Sequence, residues 1–141
     1  MSGKAFLDTN VLVYLFDHDE QSKRERAREI LESAEPSEFV LSTQILSEFY
    51  VTVTRKLKRP LDPDLAAQAI DWLELLSVVS VDTALIKSAI HTSRLSQISY
   101  WDGLVVAAAA RAGCERLLTE DLNGGQEIGG VYVENPFHHA T

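Results

Sequence analysis

From Leu104 to Ala110 the chain reads "LVVAAAA", apolar on every side. A helix without a polar face has to be covered all round, as happens only in the centre of a folded domain. With 141 residues the chain can bury such a helix in one domain, 1–141, but cannot build two. The run is too short to cross a bilayer, and "MSGKAFLDTN" lacks the apolar stretch of a signal peptide. Cys114 stands alone, so no internal disulfide is expected and a reducing cytoplasm is the natural setting. His18, His91, His138 and His139 are scattered, the last two in a tail, which argues against a structural zinc site.

Around the apolar run, strands and helices alternate. Ala5–Leu7, Glu38–Leu41, Val78–Val81 and Arg116–Thr119 read as short buried strands, with Val131–Val133 a candidate fifth. Between them lie helical patterns over Val11–Phe16, Gln21–Ala34, a segment capped by Ser42 and running to Leu57, and Pro63 to about Leu76. Asp82 and Ser99 cap two more, the second ended by Gly113. "NGGQEIGG" reads as a flexible turn. This order predicts the α/β class: a three-layer α/β/α sandwich around a mostly parallel sheet of four or five strands. In such sheets the site lies just beyond the carboxyl ends of the strands.

That rule picks out acids. Asp8 and Asp121 fall at predicted strand ends, Asp102 at the mouth of the apolar helix, and Glu48 beside the stripe Ile45, Phe49 and Val53. Each has an ordinary reading. Asp8 and Asp102 suit helix caps, "SYWD" resembling a capping box; Asp121 suits a turn, and Glu48 a solvated helix face. Together they change the balance, because crowded carboxylates repel one another and resist desolvation unless a cation holds them. Oxygen ligands alone select a hard ion, Mg²⁺ or its substitute Mn²⁺. The net charge of −8 repels nucleic acid at long range, yet a bound cation reverses the sign locally.

The stretches "FLDTNVLVYL", "STQILSEFY", "YWDGLVVAAAARAGCERLLTEDL" and "VYVENPF" resemble the PIN-domain ribonucleases, and among them the VapC-type toxins of toxin–antitoxin modules. The resemblance covers almost the whole chain in the right order. It implies a PIN-like fold, and a Mg²⁺-dependent endoribonuclease with Asp8, Glu48, Asp102 and Asp121 as its four catalytic and metal-binding acids. Asn10 and Thr119 match polar positions that orient ligands by hydrogen bonding. The "TED" pattern favours Asp121 over Glu120 as the fourth acid. Gly103 departs from the family's usual Ala at a helix cost of about 1 kcal/mol. The resemblance further implies an RNA substrate, a small VapB-type antitoxin and a homodimer, with no membrane partner.

Positive charge gathers in two places. "SKRERAR" (Ser22–Arg28) reads as a solvated helix face with Glu25 and Glu29 as partners. "RKLKRP" is denser and follows the Glu48 helix, so Arg55, Lys56, Lys58 and Arg59 are the candidates for RNA phosphates. Tyr100 and Trp101 read as buried aromatics before base-stacking ones. Two other functions compete: an inactive PIN-like interaction module, which loss of an acid would signal, and an acidic-site phosphatase or phosphoryl-transfer protein. "DTN" lacks the second Asp that the latter's nucleophile motif requires.

Overall fold

The computed structural model describes residues 3–137, so His138 and His139 lie outside the described residues. In chain order the elements are β1 (Ala5–Leu7), α1 (Thr9–Tyr14), α2 (Gln21–Glu32), a 3₁₀ turn (Pro36–Glu38), β2 (Phe39–Ser42), α3 (Thr43–Arg55) and α4 (Pro63–Leu73). Then follow β3 (Ser77–Val79), α5 (Thr83–Ser96), α6 (Tyr100–Arg111), β4 (Arg116–Leu118), β5 (Glu127–Ile128) and β6 (Val131–Glu134). The sheet has six strands in the order β3-β2-β1-β4-β6-β5, all pairings parallel except β5 with β6. Every residue of β1 and β2 is buried. Because successive side chains point to opposite faces, both faces of the sheet centre are covered.

Local chemistry sets most boundaries. Ser42 accepts from the Ile45 N–H at 3.3 Å, Asp82 from Leu85 at 2.8 Å, and Ser99 from Asp102 at 3.0 Å, each satisfying an orphan donor at a helix start. Pro63 opens α4 beside the Asp62 cap. The apolar run is buried from Gly103 to Ala109 within α6, which packs along α5 and against the sheet.

Two expectations change. The "NGGQEIGG" segment is not merely a turn, and the sheet exceeds five strands, because Glu127–Ile128 pairs antiparallel with β6. Gly129 and Gly130, at φ 57° and 85°, make the two-residue connection. That backbone needs left-handed residues at both positions, and glycine supplies them without strain. Gly103 is also more than a weak helix former. A Cβ there would sit 2.7 Å from the Ala89 carbonyl oxygen and 3.0 Å from Ser93 Cβ. Its missing side chain sets how closely α5 and α6 approach.

The strand order reverses between β1 and β4. From β1 the chain adds β2 and β3 on one side, then returns to add β4 and β6 on the other. A crevice opens at such a reversal, beyond the strands' carboxyl ends.

Candidate active site

Asp8, Ser42 and Thr119 are the buried polar residues among those described, and they stand at the carboxyl ends of β1, β2 and β4. Ser42 is accounted for as a helix cap. The other two are joined: the Thr119 hydroxyl donates to Asp8 Oδ2 at 2.7 Å, while Asp8 Oδ1 accepts from the Thr9 N–H at 2.7 Å. Thr119 Oγ1 in turn accepts from the Asp121 N–H at 3.0 Å, which fixes the turn after β4. Burial pushes the Asp8 carboxyl up to about 6, against the lowering effect of its two donors. The charges of Asp121 and Glu48 push the same way.

Glu48 faces this pair from α3. It accepts from the Thr9 hydroxyl at 2.8 Å and from Gln44 Nε2 at 3.2 Å, so both of its oxygens are engaged. Asp121 is exposed, yet partial burial raises its pKa. Burial is the larger cause, followed by the charges of Asp102, Glu120 and Glu48. Asp102 starts α6 half-buried. It donates its backbone N–H to Ser99, but no return bond from its carboxylate completes a capping box among the described residues. The Asn10 amide leans close enough to Asp121 to lower its pKa, yet neither of its buried polar atoms completes a hydrogen bond.

A groove of about 540 Å³ is lined by Thr9, Asn10, Tyr14, Glu48, Lys56 and Asp121 among others, while Asp8, Asp102 and Thr119 do not line it. Apart from the Lys56 ammonium its polar groups are oxygens and one orphaned amide, with no thiol or imidazole, which suits a hard divalent cation. No three His, Cys, Asp or Glu side chains among the described residues are arranged, as they stand, to hold a metal. Glu48 is tied to Thr9 and Gln44, and the charges of Asp102, Glu120 and Glu48 are near enough to raise the Asp121 pKa.

The sequence pattern of the PIN domain matches residues 5–124. The chain belongs to the PIN-domain family. Solved structures agree on the fold of this PIN domain. A toxin–antitoxin complex from Klebsiella pneumoniae superposes with a TM-score of 0.72 at 20% identity, covering 94% of this chain and 98% of that one. The DNA-bound VapBC of Salmonella typhimurium gives 0.69 at 20% identity, covering 95% and 98%. Mycobacterium tuberculosis VapC20, described as a Sarcin-Ricin loop cleaving toxin, gives 0.66 at 20%, covering 84% and 90%. No curated protein sequence matches the chain significantly.

Two expectations for the basic and aromatic side chains do not hold, at Lys23 and at Trp101. Lys23 is not simply solvated beside Glu25 and Glu29. It pairs with Glu120 at 2.6 Å and lies 5.0 Å from the centre of the Tyr14 ring. Local helix spacing could not reveal a partner so distant in sequence. Arg59 pairs with Asp19 at 3.1 Å and does not line the groove, whereas Lys56 does. Arg55 and Lys58 are exposed. Trp101 is 62% exposed instead of buried, edge-on to Tyr100 with ring centres 5.0 Å apart.

Proposed function

We propose that this PIN domain is a divalent-metal-dependent endoribonuclease and the toxin of a toxin–antitoxin pair. The observation that carries the reading is the Asp8–Thr119–Asp121 chain of hydrogen bonds. It sits at the strand-order reversal with Glu48 and Asp102 close enough to be felt electrostatically. Strongly displaced carboxyl pKa values in a crevice are a mark of catalytic sites.

Asp8, Glu48, Asp102 and Asp121 would hold Mg²⁺ or Mn²⁺, with Glu48 releasing Gln44 or Thr9 to do so. The bound ion would supply an acidified water and neutralise charge on the phosphate. Thr119 anchors Asp8 and the residue-121 backbone in one unit, and Asn10 offers its unpaired amide to Asp121. Lys56 contributes positive charge beside acids that would otherwise repel RNA.

Partners follow from the neighbours. Toxin–antitoxin and VapBC complexes support an antitoxin for this chain. An apolar cleft of about 690 Å³, with Leu65, Trp72 and Leu75 exposed on it, offers a surface that water covers poorly. Ile86 and Ile90, one turn apart and exposed on α5, offer a face for homodimerisation. No described helix is long and apolar enough to span a membrane. The lack of a pre-gathered ligand set favours a second reading, an inactive interaction module.

Incubation of the purified chain with total RNA decides between them. Cleavage that needs Mg²⁺ or Mn²⁺, stops with EDTA and is lost in Asp102→Asn supports the nuclease. Intact RNA at every metal concentration leaves the interaction module.

A further inference from the structure

Most basic side chains with assigned partners are occupied away from the groove. Arg59 holds Asp19, Arg111 holds Asp82, Arg116 holds Glu134, and Arg26 holds Glu29 and the Pro136 carbonyl. Lys23 differs. It reaches from α2 to the turn that carries Asp121, where Lys23 Nζ and the Tyr14 hydroxyl converge on one carboxylate. Lys23 lies 2.6 Å from Glu120 Oε2, and Tyr14 donates to Glu120 Oε1 at 2.6 Å. Lys23 also donates to the Tyr14 oxygen at 3.2 Å, so the two donors form one unit. Tyr14 itself lines the acidic groove with Asp121, Glu48 and Lys56, and its ring is braced edge-on by Phe137 at 5.0 Å.

Two donors fixed on a singly charged, two-oxygen anion suit the pair of non-bridging oxygens of a phosphodiester equally well. The side chains of Lys23 and Glu120 are 37% and 22% exposed, so the pair can exchange partners without opening the core. We propose that Tyr14 and Lys23 form a phosphate seat at the groove, that Glu120 fills it in the RNA-free protein, and that a backbone phosphate of single-stranded RNA takes Glu120's place. This rests on the nuclease reading and gives the RNA strand a second anchor besides Lys56. Exchange swaps one ion pair for another, so the seat costs little to open. It also turns the Glu120 charge, otherwise beside Asp121, out toward solvent.

The test is equilibrium binding of a fluorescein-labelled single-stranded RNA oligonucleotide in EDTA, followed by anisotropy from low to moderate salt. Lys23→Ala should weaken binding about tenfold at low salt. It should also flatten the dependence of log affinity on log salt by about 0.7, the share of one phosphate on a single strand. Lys23→Arg should restore both. Glu120→Gln, which empties the seat of charge but keeps its shape, should tighten binding about threefold. If wild type binds while Lys23→Ala and Glu120→Gln match it in affinity and salt slope, the trio is only a structural latch and the seat is overturned alone. Wild-type protein that neither binds nor cuts RNA overturns the nuclease reading, and the seat with it.

Discussion

The two ends of the sheet are built on opposite terms. At the amino ends the polar groups are wet: Lys4 and Glu115 are exposed, and Glu115 merely accepts from the Gly3 N–H at 3.2 Å. At the carboxyl ends Asp8 and Thr119 are dry, bonded to each other, and one of them is an acid held far from its ordinary pKa. The same backbone ladder runs through both ends, so the fold alone does not require the difference. Burying a carboxylate costs stability, and that cost is concentrated where the crevice is.

The largest expected effect separates the ends by chemistry. Asp8→Asn should lower RNA cleavage by roughly 10²–10³-fold or more, whereas Glu115→Gln should cleave like wild type. Equal losses from both would erase the contrast.

Next comes pH. The folded Asp8 pKa of about 6 lies above its unfolded value near 3.8, so between these pH values the folded state holds more protons. Stability from this group is therefore full below about pH 4 and lost as pH rises through 6, a change of roughly 3 kcal/mol. Urea titrations in EDTA should show wild type losing that much relative to Asp8→Asn across the window. A constant difference between the two would mean that Asp8 is not desolvated.

Divalent metal should reverse the penalty. At a hundred times its dissociation constant, Mg²⁺ or Mn²⁺ should stabilise the fold by about 2.7 kcal/mol. Thermal melting would register it, and Asp8→Asn should blunt the shift.

A smaller effect belongs to the α5–α6 contact behind the groove. Helix propensity alone says Gly103→Ala should stabilise, but the new Cβ would meet the Ala89 carbonyl. The expected outcome is a loss of about 1–3 kcal/mol in denaturant unfolding. The smallest concerns Arg59, which pairs with Asp19 at the surface and does not line the groove. Arg59→Ala should change stability by less than about 1 kcal/mol, and leave RNA binding near wild type.

What could be read from the sequence was what neighbouring residues decide. Ser42, Asp82 and Ser99 cap their helices because each finds its donor within three residues, and that chemistry is visible in the order of letters. The strand ends at Asp8 and beside Asp121 followed from alternation and the parallel-sheet rule. What stayed hidden depends on distant partners. β5 is two residues long and gives no periodic signal; only pairing with β6 makes it a strand. Lys23 has acids at helical spacing, yet Glu120 wins through the tertiary fold. Gly103 looked like a weak helix former because its neighbour across the contact, Ala89, belongs to another helix.

The strand order carries one more consequence, in time instead of space. β1 and β4 are neighbours in the sheet, and the Thr119–Asp8 hydrogen bond spans 111 residues of sequence. Contacts so far apart form late, because the long loop between them must give up its freedom before they can close. The helix caps at Ser42, Asp82 and Ser99 each close over three residues and can form without waiting for the sheet. The acidic groove therefore belongs to the last stage of folding: a chain that has its helices but not the β1–β4 pairing holds Asp8 apart from Thr119 and Asp121.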